Sequence, residues 1–173
     1  MRCLAALSLL LGLLVPSPAG VPSASPQEYS GPDLLASLEV LHAWDAHRAQ
    51  AWADVDAKAL GSLYESGSAA GAADVRLLRA YRARGFVVRR LVTQVFAVEV
   101  LHSDPTTLTL WVFDRVAGGE VVRAGQVAPL RSSPPVTRTV ELRRESGAWR
   151  VVSVSDSGGG PRAARHGHRG PGG

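Results

Sequence analysis

The hydrophobic pattern changes period once along the chain, near residue 85. Before it, apolar residues recur at helical spacing; after it, they alternate. Leu34, Leu38, Leu41 and Trp44 step by four, three and three, which is one face of a helix, and Ala49 and Trp52 continue that face. Ser30-Gly31-Pro32-Asp33 supplies the start, since Pro suits the first helical position and Asp the first turn. No Gly or Pro interrupts residues 33–60, so this helix is predicted to reach about Ala53. Asp54-Val55-Asp56 reads as an N-cap for a short second helix over Ala57 to Tyr64, with Leu60, Leu63 and Tyr64 on its apolar side. Glu65-Ser66-Gly67-Ser68 and Gly71 are expected to break it. A third helix is predicted to start near Asp74, its carboxylate capping, and to end at Gly85, with Leu77, Leu78 and Tyr81 on one side.

Period two follows. Phe86, Val88, Val92, Phe96, Val98 and Val100 share one parity in a strand that has room to bend midway and ends at Asp104-Pro105. Leu108, Leu110 and Val112 alternate with Thr107, Thr109, Trp111 and Phe113, and both parities are apolar at the centre, which predicts a strand covered on both faces. Ala117-Gly118-Gly119 is expected to be a turn, with Glu120 to Gly125 as a short return strand. Val136, Val140 and Leu142 alternate with Thr137, Thr139, Glu141 and Arg143, giving one wet face. Glu145-Ser146-Gly147 predicts a tight hairpin into Trp149 to Val154. Helices first, then an antiparallel meander, is an α+β order: three helices, then four to five strands, with the helices packed on one sheet face.

The two ends read differently. Met1-Arg2-Cys3 precedes a twelve-residue apolar run, Leu4 to Val15, and then Pro and small residues. As a helix that run rises about 18 Å, too short for a bilayer core of about 30 Å. The layout predicts a secretory signal peptide over residues 1–23, with small residues permitting cleavage after Ala19 or Ser23, and a short linker over 24–32. Cys3, the one Cys of the chain, lies ahead of the apolar run, which argues against a lipoprotein. The expected location is therefore secreted or extracytoplasmic. From residue 157 to 173 the chain reads SGGGPRAARHGHRGPGG, which has no large apolar residue and predicts a disordered tail. His166 and His168 on such a tail make a weak, unselective metal site at most.

Composition and charge then narrow the picture. The 173 residues carry a formal charge of +4 and are 46% hydrophobic, so residues 33–156 have the length and composition of one ordinary domain. Lys58 is the only Lys among nineteen basic residues, a skew that matches the codon usage of a GC-rich bacterial genome. Residues 30–156 hold fifteen basic and fourteen acidic residues, so the folded part is almost neutral. Nucleic-acid binding is not expected, because such proteins concentrate charge on the folded surface. A local exception exists. No acid lies between Asp74 and Glu99, while Arg76, Arg79, Arg82, Arg84, Arg89 and Arg90 all fall there. That stretch is a candidate patch for an anionic surface such as envelope phosphates or lipid head groups.

The long first helix, the segment Asp56…Leu60…Leu63-Tyr64, a Gly-broken third helix and the closing ELRRESGAWRVVSVS hairpin resemble the nuclear-transport-factor-2-like fold, across roughly residues 33–156. SnoaL-like cyclases and ketosteroid isomerases share that fold. The resemblance implies a curved sheet and helices forming a cystatin-like cone, and a sheet through which members often dimerise. It does not fix an activity, because the fold hosts enzymes, adaptors and assembly modules alike. The isomerases' Tyr donor would fall near Arg48 and their carboxylate base near Ala72, and neither residue can serve. Asp74, two positions on, reads as a helix cap. Glu99 and Asp114 are strand acids that could face a cone interior, with Glu99 on the parity of Val95, Ala97 and Leu101. His42 and Asp45 lie three apart on the first helix and could pair. No His-Glu-x-x-His, Gly-x-Ser-x-Gly, P-loop or Rossmann fingerprint occurs. No catalytic residue, cofactor or metal is therefore expected. Trp44, Tyr64, Tyr81, Phe96 and Trp111 are the candidate pocket lining. The leading expectation is an exported, non-catalytic binding or assembly module of the bacterial envelope, taking a protein partner or a small apolar ligand. The alternatives are a SnoaL-like isomerase or cyclase and an arginine-patch binder of the anionic envelope.

Overall fold

The computed structural model describes residues 31–156; the segments expected to be a signal peptide and a tail, and most of the expected linker, lie outside the described residues. Helices α1 (Gly31–Ala53), α2 (Ala57–Ser62) and α3 (Ala69–Ala83) come first. Strands β1 (Phe86–Ser103), β2 (Thr107–Arg123), β3 (Gln126–Pro129), β4 (Val136–Glu145) and β5 (Ala148–Asp156) follow. All pair antiparallel in the order β1-β2-β4-β5, with β3 on the far end of β2. The expected α+β order holds. Among the described residues no helix is long and apolar enough to cross a membrane.

The helices cover one face of the sheet. Leu110, Val112, Leu142 and Val151 from that face are fully buried with Leu60 of α2 and Leu78 of α3. Asp56 caps α2, accepting from the backbone N–H of Lys58 and Ala59 at 2.9 Å each. The α2–α3 connection is stitched to β5: Glu65 N–H donates to Val151 O at 2.9 Å and Val151 N–H to Leu63 O at 3.0 Å. This stitch holds Tyr64 under the sheet. The last hairpin turns on Ser146 and Gly147, both at positive φ (50° and 84°), the backbone a two-residue hairpin requires.

Three sequence expectations are corrected. Helix α3 starts at Ala69, capped by Ser68, five residues before Asp74. Gly71 does not break it; it sits buried inside it, because a Cβ there would lie 2.6 Å from Cβ of Tyr64. Glycine is what lets α3 close onto that ring. Second, Ala117-Gly118-Gly119 is no turn. Strand β2 runs straight through it, and the chain reverses at Ala124-Gly125 (φ 48° and 79°) into β3.

Third, β1 does not keep one parity. Register shifts between Arg89 and Val92, Val92 and Thr93, Val95 and Ala97, and Val100 and His102 bend the strand and reset which side chains face the helices. Val88, Leu91, Val95, Val98 and Val100 pack on the core. Val92 and Phe96 are turned out, 52% and 45% exposed. Phe96 lies on the outer face with its ring 5.2 Å from that of Phe113, and the Arg115 guanidinium stands 5.5 Å from the Phe96 ring. Trp111, opposite Glu99 and Thr139 and of the other parity from Leu110 and Val112, is on that outer face too.

Candidate functional site

The bent sheet and helices α1 and α3 enclose a cavity of about 310 Å3. Its apolar wall comes from Leu41 and Trp44 of α1, Ala70, Ala73 and Leu77 of α3, and Val116, Val140 and Val154 of the sheet. Its polar wall is Asp45, Arg48, Tyr64, Asp74, Thr93, Asp114 and Arg138. A larger open groove of about 810 Å3 runs between α1 and the β4–β5 turn, past Val40, Trp44, Leu63 and Trp149. Buried polar groups converge in the smaller, deeper cavity, and that makes it the candidate site.

Asp74 is its centre. It is 8% exposed and accepts four hydrogen bonds. Arg48 from α1 donates twice, Nε to Oδ2 at 2.7 Å and Nη2 to Oδ1 at 2.9 Å. Tyr64 Oη donates to Oδ2 at 2.8 Å, and Trp52 Nε1 to Oδ1 at 3.3 Å. Each carboxylate oxygen thus takes two donors, which fills its acceptor positions. The side-by-side Arg–carboxylate geometry is the strong, planar kind. Aromatic rings wall the pair in. Trp44 meets Tyr64 edge-on at 5.5 Å, Trp52 meets Tyr81 at 5.7 Å, and the Arg48 guanidinium stands 6.0 Å from the Trp52 ring.

The electrostatics follow from that enclosure. Burial works against the Arg48 charge, but the hydrogen bonds and charge of Asp74, helped by Tyr64 and Asp45, outweigh it and hold the guanidinium above its ordinary value. Burial, then the Asp74 charge, pushes the Tyr64 phenol well above its ordinary value, with Arg48 pulling the other way. Asp114, 3% exposed, is paired with Arg138 across β2 and β4. Asp45 accepts from Thr93 Oγ1 at 3.0 Å. Outside the cavity, the exposed β1–β2 turn is organised by Asp104. His102 first, then Thr106 and Thr107, hydrogen-bond it and hold its carboxyl below the usual range. Among the described residues no group of three or more His, Cys, Asp or Glu is placed to hold a metal ion.

The expected pocket residues scatter. Trp44 and Tyr64 line the cavity, while Tyr81 lines a neighbouring one of about 220 Å3 on the other side of Arg48 and Leu77. Phe96 and Trp111 lie on the outer face, displaced by the β1 bulge and by strand parity. Of the two strand acids, Asp114 faces the cone and Glu99 is exposed. Asp74 is not a helix cap, since α3 is capped by Ser68, six residues earlier. Asp45 bonds Thr93, not His42. Arg76, Arg79, Arg82, Arg84 and Arg89 are exposed with no ion pair among the described residues, and Arg90 pairs with Glu120 at 2.8 Å. Sequence reasoning missed Arg48 and Asp74 as partners. The available signal was that each charge sits on its helix's buried stripe: Arg48 between Leu41 and Trp52, Asp74 between Gly71 and Leu78.

No protein-family model matches the chain, and no curated protein matches it in sequence. Solved structures with low identity do. Aln2 from a Streptomyces species is 19% identical, over 71% of this chain and 88% of that one, at a TM-score of 0.47. The intermembrane space region of the chloroplast protein ARC6 is 13% identical, over 70% and 94%, at 0.48. An NTF2-like protein with a cystatin-like fold from Novosphingobium aromaticivorans is 18% identical, over 70% and 81%, at 0.39. The fold is read from the chain's own topology: three helices, then a bent antiparallel meander closing over them, which is the nuclear-transport-factor-2-like arrangement.

The network has measurable consequences for stability. Asp74→Ala leaves the half-buried Arg48 without its counter-charge and costs about 3 kcal/mol, read from the denaturant midpoint. Arg48→Met combined with Asp74→Leu removes both charges and returns most of that loss; a double variant as weak as the single one would mean that the pair contributes more than charge balance. Tyr64 adds a pH dependence. A phenol raised in the fold stabilises it below the ordinary value of 10.0, and the contribution fades as pH rises beyond that. Tyr64→Phe should remove this alkaline part of the unfolding curve. An unchanged alkaline limb would assign it to another group.

Proposed function

We propose that this domain is a non-catalytic binding module whose cone interior takes up a small, largely apolar ligand. The observation that carries it is the four-donor lock on Asp74. A general base needs a carboxylate oxygen free to meet the substrate proton. Asp74 has none free, and Asp114 is paired with Arg138; Asp45 keeps one oxygen open, but the cavity lining offers it no imidazole and only one phenol, Tyr64, whose proton already goes to Asp74. What remains is an apolar-walled space of about 310 Å3, at the small end of the range usual for ligand sites. The isomerase or cyclase reading would need a free base opposite a donor. The raised Tyr64 phenol already spends its proton on Asp74. The signal-peptide pattern of residues 1–23 supports export, and with it a role at the bacterial envelope.

The test uses the neutral fluorophore N-phenyl-1-naphthylamine. The mature chain should bind it saturably at one site, and Ala73→Trp, which fills the cavity mouth from an exposed helix position, should abolish the binding. Equal binding by both chains would move the site out of the cone, and no binding by either would sink the reading.

A second reading, peripheral contact with an anionic envelope surface, is favoured by the five exposed arginines between Arg76 and Arg89, which have no ion pair among the described residues. Arg76→Glu with Arg79→Glu should abolish low-salt sedimentation with phosphatidylglycerol vesicles. Absence of wild-type sedimentation at low salt removes this reading.

A further inference from the structure

The charges that line the cone do not cancel. Three carboxylates, Asp45, Asp74 and Asp114, face two guanidiniums, Arg48 and Arg138. Arg48 is matched to Asp74 through two parallel hydrogen bonds, and Arg138 to Asp114. Asp45 is left over. One turn before Arg48 on α1, it is half-buried, and only one of its oxygens is occupied: Oδ1 accepts from Thr93 Oγ1 at 3.0 Å, and Oδ2 accepts nothing among the described residues. The Thr93 hydroxyl comes from the bulged part of β1, so the strand's irregularity is what brings a donor up to Asp45. Arg138 Nε is buried and has no partner among the described residues, but the cation it belongs to, like Arg48, is already balanced by a carboxylate.

We propose that Asp45 is the polar recognition point of the cone, and that the ligand is a small apolar molecule carrying a protonated amine. This rests on the cone being a binding site, as argued above, and adds the chemistry of the ligand's head group. The alkyl or aryl body would lie against Leu41, Val140 and Val154, and the ammonium would complete Asp45 and neutralise the cavity. A carboxylate ligand would add a second unmatched negative charge to a space that already has one. A charge-assisted hydrogen bond is about twice as strong as a neutral one, so an alcohol of the same body would bind less tightly than the amine.

The experiment is displacement of N-phenyl-1-naphthylamine from the mature chain at pH 7 by octylammonium, octanol and octanoate. The expected order is octylammonium tightest, with octanoate about tenfold or more weaker. Asp45→Asn should weaken octylammonium about tenfold and leave octanol within about twofold, and Asp45→Ala repeats the test should the first variant unfold. Octanoate binding as tightly as octylammonium, or an Asp45→Asn chain that keeps the preference for the amine, overturns the inference while the cone remains a binding site. Failure of the wild type to bind the fluorophore at all overturns both.

Discussion

A largely buried ion pair ties the helices of this fold together. Arg48 projects from the C-terminal part of the first helix and Asp74 from the second turn of the third, and they meet through two parallel hydrogen bonds under the sheet. Removing two charges from water is costly, and their attraction offsets that cost only when the geometry is good and the remaining lone pairs are satisfied. Tyr64 and Trp52 satisfy them. Tyr64 can do so because the β5 stitch holds it beneath the sheet and because residue 71, having no Cβ, lets the third helix close on its ring. Helix packing, the position of one tyrosine and the absence of one methyl group are thus parts of one constraint.

The same constraint shapes the cavity. A pair held this tightly forms a rigid polar wall between two spaces, one of about 310 Å3 on the Asp45 side and one of about 220 Å3 on the Tyr81 side. The opposite wall is set by the bulges of β1, which turn Leu91, Thr93 and Val95 inward and Val92 and Phe96 outward. An acid in the place where a general base could stand is instead occupied as a structural partner. The carboxylate that keeps an open oxygen is Asp45, on a different helix and beside a strand hydroxyl. In the proposed reading, that one unmatched charge sets the chemistry of the occupant.

Much of the architecture was legible in the sequence because it depends on period and punctuation. The stripe Leu38, Leu41, Trp44, Trp52 marks the first helix, Asp56 caps the second, and Ser146-Gly147 marks the last hairpin. What escaped depends on contacts between distant residues. Gly71 looks like a breaker unless the ring of Tyr64 against it is known. Gly118-Gly119 looks like a turn, yet strand pairing on both sides keeps it extended. Phe96 shares parity with Val98 on paper, but Phe96 is itself the extra residue of a bulge between Val95 and Ala97, which sends it to the other face. Arg48 and Asp74 each look out of place on an apolar stripe. Only their being opposite in charge, on two helices that must pack together, makes sense of both.

Hydrogen exchange at the network's own protons would measure the lock directly. In nitrogen-15 spectra of the mature chain, Arg48 Nε–H and Trp52 Nε1–H should exchange only through opening of the whole domain. Their protection should match that of the core amides of Leu110 and Leu142, while the Nε–H groups of exposed Arg76 and Arg79 exchange freely. Arg48 Nε–H exchanging as fast as those surface arginines would contradict the account, because Asp74 would then be free to act as a base.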